Sequence, residues 1–571
     1  MLPTPSALVR SLLLPLIAVT AMAAPRPGLR FAISFPTARS ATPLDGRLLL
    51  LISKDSKTEP RFEISDQPAT QQMFGVDVEG WAPGTRRVVD AAALGYPLDS
   101  LADVPAGDYT VQALLNRYTT FHRADGHTVQ LPMDEGEGQQ WNRKPGNLYS
   151  APKKVHLDPQ QGSDLALELD LKIPPIVAPA DTPYVKHVRI ESALLTRFWG
   201  RPMYLGAQVL LPEGWDTHPQ AHFPLIVFQG HFPADFGAPL PFRTVPPEAS
   251  APEPERNHQA AAYRFYQDWT SGHLPHVLIL SIQHANPYYD DSYAVNSANL
   301  GPYGDAITQE LIPAIEKSFR GIGQGWARAV YGGSTGGWEA LASQVFYPDF
   351  YNGAWCSCPD PVDFRAYQII NIYDDPNAMF LEGPWSRVPR PAVRKPDGTV
   401  VTTMEREIRR ELVLGTHGRS TDQFGIWQAV FSPVGADGYP APIWDERSGV
   451  IDHRVAAYWK QHYDLRAIMQ RDWGTLGPKL VDKLHVQVGE MDTYYLNNAV
   501  HLLQDFLATT TAPAYRGDFD YGPRMPHCYT GDPGVSLAVS SGTVVQRFLP
   551  RMVAHFEATA PAGADMTSWK Y

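Results

Sequence analysis

The sequence predicts an α/β protein: a mostly parallel sheet covered by helices on both faces, preceded by a β-sandwich-like domain and interrupted late by a mostly helical insertion. Three observations carry this. Continuous apolar runs alternate with amphipathic helical patterns from about Val185 onward, as strands buried on both faces require. Short, turn-bounded apolar or alternating runs fill the chain before that point. A tryptophan-, tyrosine- and proline-rich stretch from about 364 to 480 breaks the α/β rhythm before it resumes.

Taken in order, Arg10, the apolar run Ser11–Val19 and Ala21-Met22-Ala23 read as a secretory signal peptide over residues 1–23. The run is shorter than the roughly 20 residues a membrane span needs. An exported, soluble mature chain, periplasmic or extracellular, is therefore expected. Residues 25–182 contain Arg47–Ile52, Tyr109–Leu115 and Leu165–Leu171 as strand patterns. With the tight turn at Pro105–Tyr109, they point to an immunoglobulin-like sandwich. The proline-rich segment Ile173–Pro183 is the expected linker.

The main domain is expected over 185–571. Its first strands, His187–Ser192 and Tyr204–Leu211, flank a turn at Trp199–Pro202, and Phe223–Phe228, Val277–Ile282 and Ala327–Tyr331 follow as buried strands. Ile307, Leu311, Ile315 and Phe319 mark one helix stripe. The insertion, with Trp385, Trp427, Trp444, Trp459 and Trp473, is read as a cap over the sheet edge. After it come the strand Leu484–Val488, a helix marked by Leu496, Val500, Leu503 and Leu507, and a last helix with Val544, Val545 and Phe548.

The chain has 571 residues, 44% of them hydrophobic and 19% charged, with a formal net charge of −12 and both signs interleaved. That is ordinary globular composition. It excludes the concentrated basic face of a nucleic-acid binder. The three cysteines, Cys356, Cys358 and Cys528, lack the four-ligand clustering of a zinc site. No metal or cofactor is called for.

The chemistry concentrates in Tyr331-Gly332-Gly333-Ser334-Thr335-Gly336-Gly337-Trp338. A strand pattern precedes it, and Trp338, Leu341, Ala342 and Val345 line one face of a helix after it. Strand, G-x-S-x-G, helix is the context of a nucleophile elbow. Gly332 and Gly336 remove the two Cβ atoms that so sharp a turn cannot hold, and the Thr335 N–H is aimed at a developing oxyanion. A serine hydroxyl needs a base, and the base needs an orienting acid. Asp492 closes Gly489-Glu490-Met491-Asp492 past the late strand and is the expected acid, with Glu490 as runner-up and helix capping as the bland role for Asp492. His527, on the loop Met525–Cys528, is the expected base. His485 reads as a packing residue, and His284 and His555 have no equivalent placement. The loop after the first parallel strand, Gly230-His231, offers the His231 N–H as second oxyanion donor.

These segments resemble the esterase D-like "putative esterase" family. The match lies in Pro224–His231, Glu310–Glu316 and Gly332–Gly337, extended by Val488–Asp492 and Pro526-His527. It covers about half the chain. The resemblance implies an α/β-hydrolase core and serine ester hydrolysis by Ser334, Asp492 and His527; the long insertion and the N-terminal β domain depart from it. On that fold Cys356 and Cys358 follow the next strand, at the same sheet edge as the His527 loop. A disulfide from one of them to Cys528 would pin that loop, the alternative being three unpaired thiols. The expected activity is hydrolysis of a carboxylic ester, carbohydrate-linked or aryl, without cofactor. Alternatives are a serine peptidase of the prolyl-oligopeptidase type, an acyltransferase, or a non-catalytic carbohydrate-binding protein.

Overall fold

Eight strands run through the middle of the molecule in the order β1-β2-β4-β3-β5-β6-β7-β8. They are β1 (Val185–Glu191), β2 (Tyr204–Leu210), β3 (Leu225–Gln229), β4 (Leu278–Gln283), β5 (Arg328–Gly333), β6 (Ala354–Ser357), β7 (Leu484–Gly489) and β8 (Asp518–Gly522). The computed structural model describes residues 28–55, 57–138, 140–231, 242–531 and 542–571; the expected signal segment lies outside them. Strands β3 to β8 pair in parallel, while β2 runs antiparallel to β1 and β4. This order, with its single reversed strand, is the α/β-hydrolase sheet.

The sequence explains the burial. Leu225, Ile226 and Val227 of β3 and Leu278, Ile279 and Leu280 of β4 are all inaccessible, because helices cover both faces of a parallel sheet. Those helices include α1 (Glu253–Trp269), α2 (Ile312–Phe319), α3 (Thr335–Phe346), which follows β5 directly, α8 (Asn497–Ala508) and α9 (Gly542–Thr559). A π-turn over Ala306–Leu311 precedes α2. Between β1 and β2 the expected turn at Trp199–Pro202 is present, and a helix not expected, Ala193–Trp199, leads into it. Ser192 caps it by accepting the Leu195 N–H at 3.1 Å, and Gly200 ends it with φ 66°. Both are ordinary helix boundary signals, masked in the sequence by the flanking strand patterns.

The insertion after β6 holds four helices, α4 (Met404–Leu414), α5 (Gln423–Phe431), α6 (His453–His462) and α7 (Leu465–Leu480). It also holds two hairpins, Phe380–Pro389 and Pro391–Thr403. Trp427, Trp444, Trp459 and Trp473 are buried and belong to the main core, whereas Trp385 is fully exposed.

Before β1 lie a three-stranded and a seven-stranded sheet. Leu29, Phe31 and Ile33 of one face Leu48, Leu50, Val111 and Leu115 of the other in a core of their own. Residues Ile173–Pro183 carry no helix or strand. The outer face of the larger sheet packs on the insertion: Leu49, Leu51 and Leu114 cluster with Val413 and Leu414 at the end of α4. Each such side chain contributes about 1.5–3 kcal/mol on burial. Arg47, 2% exposed, crosses this junction. Its guanidinium donates to the Val413 carbonyl at 2.8 Å and the Leu412 carbonyl at 2.9 Å, and pairs with Asp77 at 3.2 Å.

Arg47→Met keeps the stem but strands two carbonyls at the end of α4, while Asp77 retains Thr416 and Arg419. It is expected to lower stability by about 2–4 kcal/mol, read as a shift in the denaturant midpoint. A shift below about 0.5 kcal/mol would show that the junction does not depend on the guanidinium.

Candidate active site

The G-x-S-x-G stretch is a contact between three backbones. A Cβ on Gly336 would overlap the Gln229 carbonyl at the end of β3, and one on Gly332 would stand 2.6 Å from that same oxygen. Glycine at both positions lets β5 and α3 close against β3. Ser334, between them, is held at φ 58°, ψ −123°, a strained conformation for a residue with a side chain. Two hydrogen bonds from the next strand's end fix it: the Ser334 N–H donates to the Ser357 carbonyl at 3.0 Å, and the Asp360 N–H donates to the Ser334 carbonyl at 3.2 Å.

The loop after β8 brings His527 over the serine, and the turn after β7 brings Asp492 behind the histidine. His527 Nε2 lies 2.9 Å from Ser334 Oγ, and Nδ1 lies 2.8 Å from Asp492 Oδ2. The two loops are tied together, since the Met491 N–H donates to the Met525 carbonyl at 3.0 Å. Asp492 is fully buried. It closes its own turn and orients the histidine at once: Oδ1 accepts the Tyr494 and Leu496 N–H groups at 2.9 and 3.2 Å, leaving Oδ2 for the imidazole, while α8 starts five residues later with no side-chain cap. Glu490, the other acid considered, instead contacts His501 at 3.1 Å. His485 sits in β7 against Asp518, stacked on Trp355. His284 is buried beside Ser292, where burial pushes it down to about 4. His555 lies in α9 near Trp355.

Thr335 opens α3, where first-turn N–H groups have no acceptor within the helix. Its side chain is anchored: Oγ1 donates to Asp360 Oδ2 at 3.1 Å, and the same oxygen accepts Tyr293 Oη at 2.6 Å and Trp427 Nε1 at 3.2 Å. His231, at the end of β3, lines the same cavity as Ser334. Its Nδ1 is 2.8 Å from Asp291 and 3.4 Å from Asp290. Burial opposes its charge, but these two acids outweigh burial and hold the imidazole well above its ordinary range. Glu339 of α3 is wholly buried, and burial together with the Asp291 charge pushes its carboxyl well above the ordinary range.

Tyr293, Asp290, Asp291 and Asp360 were not singled out in the sequence. They stand just past the carboxyl ends of β4 and β6, the edge at which sites of open α/β sheets form, and that position was the available signal. Arg394 was also missed. From a hairpin of the insertion it donates to the Asp492 carbonyl at 2.9 Å and to Asn497 at 3.0 Å, bracing the acid's turn.

A cavity of 710 Å³ opens above Ser334. Phe424, Trp427 and Tyr494 form aromatic walls, with Arg394, Lys395 and Arg410 on one side and Asp66 and Gln67 of the N-terminal domain on the rim. Among the described residues, two groups hold three metal-ligating atoms within 4.8 Å of one another, His231–Asp290–Asp291 and Cys358–His527–Cys528. The expected disulfide is not formed. Cys356, Cys358 and Cys528 are free thiols. Cys358 and Cys528 are nonetheless neighbours, their sulfurs within 4.8 Å, while Cys356 is buried within β6.

Residues 204–414 match the model of a family described as Esterase, putative esterase. No curated protein matches the chain. Similar solved structures include a ferulic acid esterase (14% identity, 65% of this chain and 99% of that one, TM-score 0.33). Another is an S-formylglutathione hydrolase from Agrobacterium tumefaciens (11%, 66% and 97%, TM-score 0.32). A third is a prolyl endopeptidase (10%, 85% and 56%, TM-score 0.34). The fold assignment rests on the strand order described above.

Two outcomes are expected. Gly336→Ala forces β3 away from α3, so it should abolish turnover or folding, with a loss of at least about 2 kcal/mol by denaturant titration; a stable, active variant would refute the close approach. Next, burial opposes the charge on His527, but Cys358, Asp492 and Cys528 raise it well above the ordinary imidazole value. Asp360 and Tyr494 also face it. A base must be neutral to accept a proton, so kcat/KM is expected to fall as pH drops through a value above 6.5. An acid limb at or below 6.5 on a chromogenic ester would contradict this.

Proposed function

With its residues 204–414 matched to the putative esterase family, we propose that this serine ester hydrolase is exported and cleaves carboxylic esters through an acyl-enzyme on Ser334. The observation that carries the reading is the continuous relay Ser334 Oγ–His527–Asp492, at 2.9 and 2.8 Å, opening into the cavity at the sheet edge.

Ser334 Oγ attacks the ester carbonyl as its proton passes to His527 Nε2. Asp492 Oδ2 accepts the Nδ1 proton's hydrogen bond and stabilises the imidazolium. The carbonyl oxygen, now an oxyanion, receives the N–H groups of Thr335 and His231, each stabilising it by about 3 kcal/mol. His527 then protonates the departing alkoxide, and the alcohol leaves. A water, deprotonated by His527, attacks the acyl-enzyme through the same oxyanion site and releases the acid and free Ser334. Within the cavity, aromatic walls at Phe424, Trp427 and Tyr494 beside polar groups at Asp66, Gln67 and Lys395 suit an ester with a ring, aryl or sugar, on one side. Export rests on the amino-terminal apolar segment and its A-x-A site. No helix among the described residues is long and apolar enough to cross a membrane. The peptidase reading has no observation favouring it: among the described residues, the strands before β1 form sheets of two, three and seven strands, not propeller blades.

The test is intact-mass labelling of the full chain with a fluorophosphonate, followed by ester hydrolysis assays. One adduct per chain is expected, and none in Ser334→Ala. Asp492→Asn should keep the fold and lose about 10³–10⁴-fold in kcat, while Glu490→Gln should stay within about threefold, the range of a surface change. Labelling that persists in Ser334→Ala, or equal losses at the two acids, would overturn the assignment.

A further inference from the structure

We propose that Cys358 and Cys528 form a reversible disulfide that staples the loop carrying His527 to the end of β6. Cys358 stands one residue past β6, and Cys528 follows His527 directly. Their sulfurs lie within 4.8 Å of each other and of the His527 ring, so a bond of about 2.05 Å needs only side-chain rotation and a small loop adjustment. Both residues occupy the left-handed backbone region, φ 38° and 67°. Non-glycine residues avoid that region unless their surroundings impose it. Here it turns both side chains toward each other from separate elements. Cys356 is excluded: it is buried inside β6 and has no place in the cluster.

Accessibility sets the order of events. Cys528 is partly exposed and Cys358 is not. The hydrogen bond from Cys358 and the neighbouring His527 hold the Cys528 thiol down to about 5, against burial. With a small-molecule disulfide such as oxidised glutathione as the oxidant, the Cys528 thiolate attacks one sulfur. A mixed disulfide forms and one glutathione thiolate leaves. Cys358 then loses its proton to that thiolate and attacks Cys528 Sγ, releasing the second glutathione. Two protein thiols are oxidised, and one disulfide is reduced to two thiols. An exported chain meets such oxidants; a reducing compartment would hold the pair open.

Two consequences follow for the site. The staple closes a loop spanning the whole insertion, restricting the unfolded chain. It also removes ionisable sulfur beside His527. The remaining groups facing the imidazole are then Asp492, Asp360 and Tyr494, so the acid limb of kcat/KM moves to lower pH on oxidation. The activity readout rests on the ester-hydrolase reading. The covalent map does not.

The experiment is mass mapping of the full chain after equilibration with oxidised glutathione or with dithiothreitol, free thiols being alkylated before digestion. A Cys358–Cys528 linked peptide is expected only in the oxidised sample, with Cys356 recovered as an alkylated thiol in both. The oxidised protein should resist thermal inactivation to a temperature about 2–5 °C higher. That difference should vanish in Cys358→Ser and in Cys528→Ser and persist in Cys356→Ser. Recovery of Cys528 as a free thiol or as a stable glutathione adduct after oxidation, or a bridge to Cys356, would overturn the proposal. Mapping of the unaltered chain decides it even if a variant fails to fold. A linked peptide in a chain without esterase activity would count against the functional reading and leave the staple standing.

Discussion

The meeting of three backbones at Gly332, Gly336 and the Gln229 carbonyl is the constraint on which the rest of the site depends. Only because no side chain intrudes there can α3 start immediately after β5 and hold Ser334 clear of the sheet in its strained conformation. The strain must be held from outside, and the end of β6 does so through the Ser357 carbonyl and the Asp360 N–H. The elbow thus links the ends of β3, β5 and β6, and every other functional group is placed relative to that junction.

Around the elbow, charge is handled by burial in pairs. Asp492 divides its two oxygens between the backbone of its own turn and the histidine, so one carboxylate both shapes that turn and orients the imidazole. Asp291 and Asp290 flank His231 and hold its imidazole above the ordinary range, and burial pushes the Glu339 carboxyl up. Asp360 gathers donors from Tyr293, Thr335 and Trp427. It therefore couples the first turn of α3 to the insertion. Because an unpaired buried charge costs several kcal/mol, these partners fix one another's positions and leave the serine hydroxyl as the group free to react.

The insertion and the N-terminal sheets act as one support. Arg47 bonds carbonyls at the end of α4, and Arg394, from a hairpin just before α4, braces the Asp492 turn. The cavity lining draws on both, through Asp66 and Gln67 from the one and Lys395 and Phe424 from the other.

The elbow, the alternation of buried strands with helices, and the order Ser334, Asp492, His527 were legible in the sequence because each is set locally. A sharp turn demands glycine, a doubly covered strand demands continuous apolar residues, and a strand end marks where a side chain can reach the site. The helix Ala193–Trp199 was missed, since its caps are single residues among strand-like neighbours. What no local pattern carries is proximity across the chain. That Asp360 meets Tyr293 and Trp427, that Arg47 finds Val413, and that Cys528 lies beside Cys358 rather than Cys356 all follow from strand order and loop closure. Such contacts join residues tens to hundreds of positions apart, and only the folded chain selects them from the many equally compatible with the same local rules.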